Sequence, residues 1–212
     1  MADTKLIDLT AVGTPALEDL LYITDDPSGS PLDRKMTITQ LQALISGMVL
    51  IEEQSPDGVS VVTFSSLGAY THLELCWSAR GDQVATSTVL NLTFNADGGA
   101  NYDRENTSAA AATVSAAESL GATSAAIGSA AAASADAGMV GAGRLTIFDY
   151  RGTTYQKQGV GHSCLRRSTA SGNILLQHHA IGWRSTAAIT ALAVTLASGN
   201  FVTSKFSLYG LK

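Results

Sequence analysis

His72-Leu-Glu-Leu-Cys-Trp-Ser-Ala79 and, after a short polar break, Thr88-Val-Leu-Asn-Leu-Thr-Phe94 decide the fold of this chain. In the first run Leu73, Leu75 and Trp77 alternate with polar or small residues; in the second Leu90, Leu92 and Phe94 do the same. Successive side chains of a strand point to opposite faces, so a period of two marks a strand with one buried and one wet face. Asn95-Ala-Asp-Gly-Gly99 closes the second run with turn residues.

Working outward, the same pattern recurs at Val59 to Phe64, Arg144 to Asp149, Thr154 to Val160, Asn173 to Trp183, Ile189 to Leu196 and Lys205 to Tyr209. About eight short, evenly spaced strands joined by Gly-, Asn- and Ser-rich turns predict a mainly β chain, an antiparallel β-sandwich of jelly-roll-like form. Residues 108–142 differ in kind, being almost all Ala, Ser, Gly and Thr. Alanine favours helix, but Gly121, Gly128 and Gly138 interrupt it, so a long surface loop with partial helix around Val114 to Leu120 is expected. A loop that long suggests subunit packing or host contact.

The N-terminal residues have too few apolar side chains for a core of their own, and a segment of that kind orders by docking on something larger. Thr14 caps a short helix with Pro15 at its first position and Glu18 and Asp19 in its first turn. Leu20 to Thr24 turns strand-like, Asp25-Asp-Pro-Ser-Gly-Ser-Pro31 is dense turn chemistry, and Lys35 to Ile38 reads as a return strand. Thr39 with Gln42 fits a capping box, after which Leu41, Leu44 and Ile45 share a helical face. The expectation is a small helix-hairpin-helix arm over residues 1–48, followed by the sandwich over residues 49–212.

Leu17 to Asp26, the Pro27–Pro31 turn and Arg34 to Leu44 resemble the N-terminal attachment arm of tailed-bacteriophage fibre and spike proteins. Glu18 stands at an acidic position and Met36 at an isoleucine position of that pattern. The resemblance implies docking on a virion, usually as a homotrimer, through Leu17, Leu20, Leu21, Tyr22, Ile23, Asp25, Asp26, Leu41 and Leu44. The body resembles a domain of phage and viral-metagenome structural proteins in Tyr70-Thr-His-Leu-Glu-Leu75, Leu92 to Asp103, Phe148 to Thr153, Trp183 to Thr190 and Leu208-Tyr-Gly210. Such domains are similar to carbohydrate-binding jelly rolls. The role implied is a short tail fibre or receptor-binding protein of the virion tail, made in the host cytoplasm. Its partners would be itself, tail or baseplate proteins and a host cell-surface glycan. A capsid decoration or head-fibre protein is the alternative.

The net charge is −5 and Lys and Arg are scattered, so no nucleic-acid stripe is present. Met1-Ala-Asp-Thr-Lys5 lacks the apolar region of a signal peptide, and no apolar run suits a membrane span. Cys76 and Cys164 are expected to be buried free thiols rather than a disulfide. No cofactor is implied. Gly161-His-Ser-Cys164 holds nucleophile types, but no Gly-x-Ser-x-Gly elbow or glycosidase dyad accompanies it, and the chain reads as a non-enzyme. A polysaccharide hydrolase using His162 or Asp103 is the weakest alternative. His178 and His179 are neighbours, so in a strand one faces inward and one outward. Asn95, Asp97, Asn101 and Asp103 place oxygens at near-alternate spacing, as calcium requires, but Asp97-Gly98 is also an ordinary turn signal. Trp77, Tyr150 and Trp183 could stack on sugars, though the two tryptophans suit the core. Tyr102 and Tyr155 border loops and, with Arg166 and Arg167, are the expected host-surface contacts.

Overall fold

A computed structural model describes residues 20–25, 32–38, 47–169 and 174–212. The chain divides into two compact units, Met1–Gly47 and Met48–Lys212. In the first, β1 (Leu20–Asp25) and β2 (Leu32–Thr37) form an antiparallel pair, with Leu20 opposite Thr37 and Asp25 opposite Leu32. The helices expected around residues 14–19 and 39–45 lie outside the described residues, as do Leu17, Asp26, Leu41 and Leu44.

The second unit is mainly β. Its strands are β3 (Met48–Gln54), β4 (Val61–Phe64), β5 (His72–Gly81), β6 (Ser87–Phe94), β7 (Tyr102–Ala110), β8 (Thr113–Ala122), β9 (Ala125–Ala131), β10 (Gly141–Phe148), β11 (Lys157–Arg166), β12 (Ile174–Trp183), β13 (Leu192–Leu196) and β14 (Phe201–Leu211). All belong to one hydrogen-bonded sheet. Eight follow the order β3-β14-β5-β10-β11-β12-β7-β8 and four the order β4-β13-β6-β9, the two runs joined by one parallel bridge from Arg80 to Ala131.

Alternation decides what each strand buries. Along β5, Leu73, Leu75, Trp77 and Ala79 are buried, and along β6 Leu90, Leu92 and Phe94. These join Ile127 of β9, Leu145 and Ile147 of β10 and Val194 of β13 in one apolar cluster. β11 alternates along its whole length: Lys157, Gly159, Gly161, Ser163 and Leu165 point in, and Gln158, Val160, His162, Cys164 and Arg166 point out.

The expected loop at 108–142 is corrected: most of it is strand. It completes β7, forms β8 and β9, and enters β10. β7 and β8 make a hairpin in which Ala110 opposes Thr113, leaving Ala111 and Ala112 as a two-residue loop with Ala111 at φ 52°. β9 is almost wholly buried. A strand of Ala, Gly and Ser is thin enough to lie against the glycine-rich β10 and β11, and this tertiary fit overrides alanine's helix propensity. At Gly128 of β9 an added Cβ would come within 2.9 Å of the Trp77 ring and 3.0 Å of Ser163 Cβ.

The turn after β6 carries a testable strain. Asp97 N–H donates to Phe94 C=O at 2.8 Å, and the two central residues, Asn95 and Ala96, have φ of 53° and 56°. That is a type I′ turn, which favours Asn first and Gly second. Ala96→Gly is expected to raise stability by about 0.5–1 kcal/mol, read as a higher urea midpoint at unchanged m-value.

Candidate functional site

The outward face of β11, β12, β7 and β8 carries a recess beside the Asp149–Gln156 connection. The buried Tyr150 anchors that connection: its hydroxyl donates to Gly68 C=O at 2.8 Å and accepts from Tyr70 N–H at 3.4 Å. Lys157, only 3% exposed, points its ammonium inward and donates to the carbonyls of Gly152, Tyr155 and Thr186. An ammonium has three protons and no acceptor, so three carbonyls satisfy it without a carboxylate. The pinned backbone leaves Tyr155 projecting, 75% exposed, with Gln156 exposed beside it.

The recess is open, about 200 Å³ in volume, and lined by Glu105, Glu118, Leu120, Gln156, Gln158 and Gly182 among others. Glu105 and Glu118 stand directly opposite each other on β7 and β8. Like charges in that register repel. Hydroxyl donors or an ammonium placed between them would relieve the repulsion, and the two amides add donors and acceptors. The rim is held by Arg184, which grips Asp103 through two bonds (Nη2 to Oδ1 2.7 Å, Nε to Oδ2 2.8 Å). Gly121 N–H adds a third bond to Oδ1 at 2.9 Å. The Arg184 hydrogen bond, then that of Gly121, holds the Asp103 carboxyl below its usual range, and the hydrogen bond to Asp103, with its charge, raises Arg184.

The expected contact residues do not come together. Tyr102 is corrected: it is 1% exposed and belongs to the core. It opens β7 with its side chain inward, where its hydroxyl accepts from Phe94 N–H (2.9 Å) and donates to Asp97 C=O (3.1 Å). Burial pushes its phenol up. Arg166 is exposed, with Nε donating to Ser168 C=O at 3.2 Å, and Arg167 is half-buried. Both lie at the opposite end of β11 from Tyr155, roughly 30 Å away along the strand. Trp77 and Trp183 are core residues.

Of the oxygens considered for calcium, those of Asn95, Asp97 and Asp103 are engaged internally. Asp97 accepts from Trp183 Nε1 (2.7 Å), Gly99 N–H (2.8 Å) and Asn101 Nδ2 (2.9 Å), and these bonds, Trp183's first, lower its carboxyl. Asn95 Oδ1 accepts from Thr190 N–H at 2.8 Å and Ala191 N–H at 3.1 Å. Among the described residues no three His, Cys, Asp or Glu side chains gather as metal ligands. The cysteines are free, but the expectation of burial is corrected: Cys164 is exposed and Cys76 half-buried, because both sit on outward positions of their strands. Burial, then the charge of Glu74, raises the Cys76 thiol.

His178 is exposed and His179 buried. Ser163 Oγ lies 3.5 Å from His179 Nε2, but both residues are sealed from solvent, at 2% and 4% exposure. Ser163 has no route to a substrate, and the pair reads as packing. What sequence reasoning missed was cross-strand register: it alone brings Glu105 to Glu118 and His162 to His178.

No protein-family model, curated protein or solved structure matches the chain. Among the described residues no helix is long and apolar enough to cross a membrane.

Proposed function

We propose that the chain is a phage virion structural protein, a short tail fibre or receptor-binding protein that docks through its N-terminal unit and meets a host glycan with its β body. The observation that carries this reading is the β1–β2 hairpin, which forms in a separate small unit on residues that resemble phage attachment arms. We read the four-strand and eight-strand runs as the two layers of a jelly-roll-like sandwich, since one apolar cluster draws side chains from both. The recess beside Tyr155 supplies the recognition chemistry: carboxylates and amides for sugar hydroxyls, and an exposed aromatic ring to stack on a pyranose face. Its carboxylates select neutral or amino sugars and reject acidic ones. In a homotrimer, weak single sites would act together.

Two measurements test this. Antibody against residues 50–212 should label the tail of intact particles; label spread over the head would replace the reading with capsid decoration. Glycan-array binding by the full chain should fall about ten-fold when Glu105 and Glu118 are both changed to Gln, and similarly for Tyr155→Ala. Binding unaffected by either change would remove the recess from the proposal.

A further inference from the structure

His162 and His178 stand directly opposite each other on the neighbouring strands β11 and β12. Both face outward and are exposed, with ring centroids 6.1 Å apart and planes inclined by 52°. Neither imidazole has a hydrogen-bond or ion-pair partner among the described residues. The other two histidines are committed: His72 Nδ1 accepts from Asp149 N–H at 3.0 Å, and His179 is buried. Arg144, opposite His162 on its other side, reaches toward Glu74, 3.7 Å away.

We infer that the His162–His178 pair is a binding site for a borderline divalent transition-metal ion of the Zn²⁺ or Ni²⁺ class. Imidazole nitrogen suits these ions, whereas the pair presents no carboxylate for calcium or magnesium. A paired ladder fixes the two strands, so once one ring binds, the second donor is already local and its capture is intramolecular. With metal–nitrogen bonds of about 2.0–2.1 Å, two rings on a tetrahedral ion have centroids about 5 Å apart. Closing the observed gap takes roughly 1 Å, within reach of side-chain torsions at exposed positions. Water completes the shell, since no third metal-binding side chain gathers there among the described residues. Cys164, the next outward residue on β11, is free and exposed but outside that set.

The test uses tag-free full-length protein titrated with ZnCl₂ or NiCl₂, followed by calorimetry and by the histidine ring signals in NMR. One ion per chain should bind, shifting the His162 and His178 signals together. His162→Ala and His178→Ala should each weaken binding roughly ten-fold or more, since loss of a mere supporting contact costs that much. His72→Ala and Cys164→Ser should bind like the parent. Absence of saturable binding, or equal affinity in His162→Ala and the parent, would overturn the site; so would loss of binding in Cys164→Ser.

Discussion

Gly141→Val is expected to cost about 3 kcal/mol or more and to lower the melting temperature by roughly 10 °C. Gly141 opens β10 between Ala79 of β5 and Leu165 of β11, and it is buried. A Cβ there would run into the Ser129 carbonyl oxygen and come within 2.8 Å of Ala130 Cα, both backbone of β9. A flexible side chain can swing away from such a clash, but a buried strand can only shift as a unit. β9 is held on its other side by β6, where Ser87 to Leu92 pairs with it, so a shift would disturb that ladder too. Gly98→Ala is the control: among the described residues nothing lies within 4 Å of a Cβ at that position, and it should be nearly neutral. Urea denaturation of the three proteins decides the matter. If Gly141→Val unfolds at the parent's midpoint, β9 does not lie against β10 as described.

That contact also explains how much of the fold was legible. The strands at 72–79 and 88–94 could be read because large apolar residues alternate with polar ones, and they appear as β5 and β6 with small changes of boundary. β8 and β9 could not. In Thr113-Val-Ser-Ala-Ala-Glu-Ser-Leu-Gly-Ala122 and Ala125-Ala-Ile-Gly-Ser-Ala-Ala131 both faces carry small residues, so period two leaves no mark. For β9 the cause lies elsewhere in the chain, in Gly141, where a side chain would occupy the place of the Ser129–Ala130 backbone. The Ala111-Ala112 hairpin loop also lacks the Asn-Gly or Asp-Gly signal that would have announced it.

The site was legible only in part. Tyr155 could be picked as a loop aromatic, and it projects. Tyr102 carried the same signal and is buried, because strand phase decides which way a ring at a loop border turns. Glu105 and Glu118 are separated by a hairpin, and His162 and His178 by the end of one strand and the start of the next. Their pairing follows from turn length, which a chain with weak turn signals does not reveal.

Stability should fall as the pH drops from about 6.5 to about 4, by roughly 3 kcal/mol, through His179. The imidazole sits inward on β12, 4% exposed. Its Nε2 faces Ser163 Oγ at 3.5 Å, while its buried Nδ1 has no hydrogen-bond partner among the described residues. Burial, then the nearby charges of Arg104 and His178, lowers its pKa from 6.5 to about 4. The unfolded chain therefore takes up a proton below 6.5 that the native state refuses, and unfolding gains with each step toward acid. The contribution is fully present above 6.5 and gone near 4, where the native imidazole protonates as well. Asp97 and Asp103 act in the same direction but later. Their carboxyls are held low by Trp183 and Arg184, so what they contribute persists above the ordinary aspartate range and is lost only as the pH falls beneath it. The two windows separate the causes. In His179→Gln, which keeps a polar side chain beside Ser163, the fall between pH 6.5 and 4 should flatten while the steeper loss in stronger acid remains. Urea midpoints taken every half pH unit for both proteins give the slopes directly. Parallel slopes in parent and variant through the upper window would show that the buried imidazole is not the group that titrates.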